Sequence, residues 1–179
     1  MFRTFSKNTF YAWLIILAGL WSCHETQRDT APHLTLSKEE KMRISQNSLR
    51  KAVLKEQEQI QLYIKRQNLP FKGLPSGVHY LIIDSSSTGK NPIAGQLIEV
   101  KYDLKLLDGT IISSQKTEPL ALDFQNKESG LFEALKLMKE GESAIIIIPS
   151  YRAHGLAGDD EKIPPLSTLI YQLKIKAFI

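Results

Sequence analysis

Histidine, cysteine and paired carboxylates are the side chains that most often carry enzymatic chemistry, and their spacing here assigns them little of it. His24, His33, His79 and His154 are scattered, without the close spacing that metal ligation requires, so no metal is expected. Cys23 is the sole cysteine, which excludes an internal disulfide and leaves the domain no thiolate for catalysis or zinc. Glu140 and Glu142 flank the end of a predicted helix, and Asp159, Asp160 and Glu161 form a short acidic loop; both groups read as solvated. His154, beside Gly155, reads by itself as a surface-loop histidine. Tyr102 and Tyr171 fall on the inward faces of predicted strands, where residues of this type are ordinarily plain core.

The elements that must position these residues follow from hydrophobic period. Ile98, Val100, Tyr102, Leu104 and Leu106 alternate with Glu99, Lys101, Asp103 and Lys105, the pattern of a strand with one dry face. Leu169, Tyr171, Leu173 and Ile175 repeat it at the end of the chain. Ala144 to Ile148 is a short β-branched run suited to a strand buried on both faces, and Asp108-Gly109 predicts a hairpin turn. One helix is predicted from Leu131 to Lys139, with Leu131, Leu135 and Met138 on one face and Gly141 as its stop. Several antiparallel strands with one short helix is an α+β plan.

Upstream, Ser37 and Glu40 form a capping box for a helix running to about Gln67, with Ile60, Tyr63 and Ile64 at helical spacing. Its thin apolar stripe predicts a helix docked on its own domain; dimerisation through it is the lesser alternative. Pro70, Gly73, Pro75 and Gly77 then mark a loop. Residues 23–36 are polar and aperiodic, as a tether would be. Residues 1–22 carry Arg3, Lys7 and the apolar run from Phe10 to Trp21, which has signal-peptide length and is short of the ~20 residues of a membrane span. It ends at Leu20-Trp21-Ser22-Cys23, similar to a bacterial lipobox, whose cysteine is lipid-modified and becomes the mature N-terminus; Trp21 departs from the usual residue there.

At 179 residues, the chain less its leader and tether holds one domain of roughly 100–120 residues. Arg3 and Lys7 supply half of the net charge of +4. No basic stripe with interleaved aromatics accompanies it, and nucleic acid is not an expected partner.

The last third carries an ordered set of short motifs: Gly130-Leu131, Met138-Lys139-Glu140-Gly141-Glu142, Ile148-Pro149 with Ala153-His154-Gly155, and Ile163-Pro164-Pro165 followed by Leu169 and Tyr171. In that order they resemble the FKBP-type peptidyl-prolyl cis-trans isomerases, over about Gly77 to Ile179. The resemblance implies an FKBP-like half-wrapped antiparallel sheet with the short helix on its concave face, over residues 77–179, preceded by the helical segment and loop at residues 37–76. It implies no cofactor.

Carried over residue by residue, the resemblance places an apolar proline pocket at Tyr102, Ile112, Leu120, Leu122, Leu131, Ile163 and Tyr171. Leu131 stands where the family has a tryptophan platform, and Ile112 where it has an aromatic. Ser113 replaces the aspartate that pairs with the pocket tyrosine, and His154 replaces the tyrosine that donates to the substrate carbonyl. Lys127 and Glu128 occupy the apolar pocket edge, whose second backbone N–H bonds substrate. A histidine ring can still donate, so that role survives the exchange, with pH dependence. The missing aspartate is the departure that most weakens activity.

Two functions follow. The first is a lipid-anchored prolyl isomerase facing the periplasm, whose partners are proline-containing segments of exported proteins and a membrane, through Cys23. The second is a binding or chaperone module with negligible turnover. The lipobox and the two exchanges look most like the gliding-motility-associated FKBP-type lipoproteins, which makes a surface or motility machinery the expected client.

Overall fold

The computed structural model describes residues 37–85, 89–122 and 128–179. The expected leader and tether, with Cys23, and the rim residue Lys127 lie outside the described residues. The elements are helix α1 (Lys38–Gln67), strands β1 (Lys72–Gly73), β2 (His79–Asp84), β3 (Leu97–Leu106) and β4 (Ile111–Ala121), helix α2 (Ser129–Leu135), strand β5 (Ser143–Ile148), a 3-10 turn at Ser150–Arg152, and strand β6 (Leu169–Phe178). The six strands form one antiparallel sheet in the order β1-β2-β5-β6-β3-β4. This is the α+β architecture expected from the strand periods.

Strand β3 buries every second residue from Ile98 to Leu106, as its alternation demands. On β6 the same alternation is joined by Ile170, buried on the other face. The reason is α1. Ile60 of that helix packs with Ile147 and Ile170 on one side of the sheet, flanked by Tyr63, Ile64 and Phe71. On the other side, α2 contributes Leu131, Phe132, Ala134 and Leu135 to the main core with Val100, Tyr102, Ile146, Ile148 and Tyr171. Strand β5 is therefore dry on both faces, which its β-branched run anticipated. Burying Ile60 contributes roughly 1.5–3 kcal/mol to holding α1 in place. The capping box forms at the start of α1: Ser37 N–H donates to Glu40 Oε2 at 2.9 Å and Glu40 N–H to Ser37 Oγ at 3.1 Å.

Three details differ from expectation. Helix α2 stops at Leu135 rather than Lys139, because Leu137 and Met138 donate to carbonyls three residues back and tighten the chain into a turn. Glu142 is buried, not solvated, and its Oε2 accepts the Lys139 N–H at 2.9 Å. The loop from Pro70 contains the short strand β1, paired with β2.

Candidate functional site

The apolar seat of the site is built at the junction of α2 with β3, β4 and β6. Gly130 begins the construction: a Cβ there would lie 2.5 Å from Ile148 Cγ2, so only glycine lets the first turn of α2 rest on β5. That contact sets Leu131, 4% exposed, beneath an open pocket of about 430 Å³. Tyr102 of β3 and Tyr171 of β6 wall it, with ring centroids 5.3 Å apart and planes inclined at 58°, a tilted pair worth about 0.5–1.5 kcal/mol beyond its buried area. Ile112, Leu120 and Ile163 extend the apolar wall, and Ser113 also faces it.

Above this seat the polar groups are paired with one another. Tyr171 donates its hydroxyl to Glu128 Oε2 at 2.6 Å, and His154 Nε2 lies 2.8 Å from Glu128 Oε1. With the carboxylate accepting, Nε2 carries the hydrogen. Tyr102 donates to Glu118 Oε1 at 2.5 Å, and Lys116 Nζ pairs with Glu118 Oε2 at 2.7 Å. Burial, reinforced by the Glu118 bond and charge, pushes the Tyr102 phenol up to about 12. Tyr171 is raised further, by burial first and then by the Glu128 charge. Burial opposes ionisation of Glu118, yet the bonds from Lys116 and Tyr102 hold its carboxyl below the ordinary range.

Backbone devices hold this network in place. On β4 a bulge separates the Leu104–Ser113 pair from the Tyr102–Lys116 pair, with Gln115 at a φ of 52°. Asp103 anchors it by accepting from Gln115 N–H at 2.8 Å and Ser114 Oγ at 2.9 Å. In the acidic loop, Asp159 Oδ1 accepts the N–H groups of Glu161, Lys162 and Ile163 at 3.0, 2.8 and 2.6 Å. Those bonds, led by that from Ile163, hold the Asp159 carboxyl below its usual range. The loop, expected to face solvent at the rim where the family's longest loop meets peptide, also fixes Ile163 at the pocket wall.

The structure thus brings together Tyr102, Ile112, Ser113, Leu120, Glu128, Leu131, His154, Ile163 and Tyr171 at one pocket, and leaves Leu122 beneath it as core, 1% exposed. Lys116 and Glu118 were missed. A signal for them existed, since Lys116 and Glu118 share a strand face with Leu120 by simple alternation. The acid that Ser113 lacks is supplied to Tyr102 by Glu118, from across the bulge. Glu128 was read only as a charged rim with a useful amide, but its side chain reaches the centre of the site. Among the described residues, no cluster of His, Cys, Asp and Glu could hold a metal ion.

Residues 89–176 match the family model described as FKBP-type peptidyl-prolyl cis-trans isomerase. The chain is 33% identical over 106 residues to the probable FKBP-type peptidyl-prolyl cis-trans isomerase FkpA of Neisseria meningitidis serogroup B, covering 58% of this chain and 39% of that protein. It is 34% identical over 104 residues to the outer membrane protein MIP of Legionella longbeachae, covering 57% of this chain and 44% of the relative. The chain therefore spans less than half the length of either relative. Among solved structures, a peptidyl-prolyl cis-trans isomerase of Pseudomonas syringae pv. tomato superposes with a TM-score of 0.60 at 27% identity, over 72% of this chain and 94% of that one. An ordered motif set, an apolar pocket under two facing tyrosines and these likenesses converge: the chain carries an FKBP-type peptidyl-prolyl cis-trans isomerase domain.

Proposed function

We propose that this protein is a prolyl cis-trans isomerase that assists the folding of exported proteins, held to a bacterial membrane by a lipid on Cys23 and facing the periplasm. The observation that carries the reaction is the seat formed by Leu131 under the Tyr102–Tyr171 pair. Rotation about an X-Pro bond has a barrier of about 18–20 kcal/mol because amide resonance must be broken, and it is slow enough to limit folding. No nucleophile is needed. A proline ring resting on Leu131 between aromatic faces leaves water, and the twisted amide, whose nitrogen has lost conjugation, is favoured in that dry setting.

His154 lines the pocket at the position where the family resemblance puts a donor to the substrate carbonyl. In the resting pocket its Nε2 is occupied by Glu128, so donation from that nitrogen requires that bond to open. This one feature favours the second reading, a module that binds proline segments and turns them over slowly. The envelope location is supported by the lipobox-like end at Cys23 and by the likeness to an outer membrane protein of Legionella longbeachae. A surface or gliding-motility machinery is proposed as the client, from the combined lipobox and histidine and serine exchanges.

The test is the cis-to-trans rate of an X-Pro peptide series followed by exchange spectroscopy, without a coupling protease. Saturable acceleration by the protein, abolished in Tyr171→Ala while the variant remains folded, is the expected result. No acceleration from folded protein would leave the binding module as the function.

A further inference from the structure

Glu56 is a carboxylate buried to 7% exposure in the middle of α1, on the face of the helix that also presents Ile60. Three donors converge on it: Ser150 N–H at 2.6 Å and Thr168 Oγ1 at 2.6 Å reach Oε1, and Ser150 Oγ at 2.8 Å reaches Oε2. Among the described residues no basic side chain pairs with it. A buried carboxylate is a poor way to dock a helix, because its desolvation costs several kcal/mol and an apolar residue would serve docking better. What it supplies is geometry, since each donor must point at a fixed oxygen.

The donors belong to the two segments that carry the polar site. The carbonyl of Ser150 accepts the N–H groups of Ala153 at 3.0 Å and Gly155 at 2.8 Å, the two neighbours of His154. Thr168 immediately precedes β6, which carries Tyr171. His154 and Tyr171 then meet again at Glu128. A closed circuit runs from Glu56 through Ser150 and Thr168 to the two side chains that share the Glu128 carboxylate.

We propose that Glu56 is a positioning residue for the isomerase site, clamping from the α1 side of the sheet the segments that present His154 and Tyr171. Helix α1 is thereby part of the working site although none of it lines the proline pocket. The proposal rests on the isomerase reading for its effect on turnover, and on the hydrogen-bond circuit alone for its effect on the loop.

The experiment compares Glu56→Gln and Glu56→Ala with Ile60→Ala, all in the full chain. Ile60→Ala removes apolar packing of α1 on Ile147 and Ile170 while keeping every donor and acceptor of the circuit. We expect the Glu56 variants to lower kcat/KM roughly tenfold, the factor set by losing about one charge-assisted bond of positioning, and to speed amide exchange at Ala153 and Gly155. Ile60→Ala lowers the thermal midpoint at least as far but, with all hydrogen-bonding groups of the circuit retained, leaves kcat/KM within about twofold. Equal loss of activity in Ile60→Ala at full folding, or unchanged kcat/KM in folded Glu56→Gln, overturns the proposal. If Glu56→Ala does not fold, Glu56→Gln decides. If the wild-type protein shows no turnover, exchange at Ala153 and Gly155 and the His154 ring resonances still decide: a change in Glu56→Gln supports the clamp, and none refutes it.

Discussion

Glu128 sets the resting state of the pocket, and its replacement by alanine separates stability from turnover. Its two oxygens accept from Tyr171 and His154, and its side chain is only 16% exposed, so neither bond is a screened surface contact. Bonds to a charged group contribute about 1.5–3 kcal/mol each. Against their loss stands the desolvation cost of the carboxylate, several kcal/mol, which Glu128→Ala removes, and water in the open pocket takes over the freed hydroxyl and ring. The net destabilisation is therefore about 1–2 kcal/mol. Turnover moves the other way. To donate Nε2–H to a substrate carbonyl, His154 must first leave Glu128, and opening such a charge-assisted bond costs about 1.5–3 kcal/mol. Removing that step raises kcat/KM roughly ten- to a hundredfold. Denaturant unfolding reads the first effect and uncoupled prolyl exchange the second. A folded Glu128→Ala protein with lower kcat/KM would refute the reasoning, and would mean that the carboxylate holds His154 in its productive orientation.

Three further outcomes follow from the same geometry. If Glu118 replaces the acid absent at Ser113, Glu118→Gln lowers kcat/KM, Ser113→Asp alone changes it little, and the double variant regains the loss; additivity of the two changes in prolyl exchange would show that the acids are not equivalent. The Tyr102 phenol titrates at about 12 in the folded state, against about 10 when unfolded. Between those values the native state binds more protons, so unfolding free energy is level below pH ~10 and falls toward pH ~12. Tyr102→Phe should flatten that decline in pH-dependent denaturation, and an unchanged slope would assign it elsewhere. At the other end of the chain, Cys23→Ala should release soluble protein or leave an uncleaved precursor on fractionation; unchanged membrane-bound mature protein would contradict lipidation.

How much of this was legible in the sequence depended on period. Strands β3, β5 and β6 were readable because their apolar residues alternate or run together without interruption, and Tyr102 and Tyr171 came with them. The β4 side of the site was not, because the bulge at Ser114 and Gln115 breaks the alternation between Ser113 and Lys116. Counting by twos from Ser113 across it puts Lys116 and Glu118 on the wrong face, whereas counting back from Leu120 puts them on the right one, so only the second route pointed to Glu118. Glu56 was invisible for a different reason. A glutamate in a helix rich in charge reads as solvated, and only Ser150 and Thr168, far off in sequence, show that it is buried. The early end of α2 lay in hydrogen bonds of its last turn, which no hydrophobic pattern records.

The polar groups of the pocket do not contradict an apolar site; they explain how this chain keeps one. Three of the acids at the pocket already have their donors: Glu118 has Tyr102 and Lys116, Glu128 has Tyr171 and His154, and Asp159 has three backbone amides. Satisfied pairs carry little penalty for being half-buried, whereas a lone carboxylate would draw water onto the seat. The hydroxyl of Tyr171 is directed to Glu128, which leaves the ring face for a proline. The same pairing occupies His154, a side chain at the rim able to donate to a substrate carbonyl. On the proposed isomerase reading, a pocket made this way would bind a proline ring and spend part of its catalytic advantage on opening the His154–Glu128 bond, so that proline affinity and turnover rate would be set by different residues. On that reading Leu131 and the two rings would govern the first, and Glu128, with Glu56 behind the loop, the second.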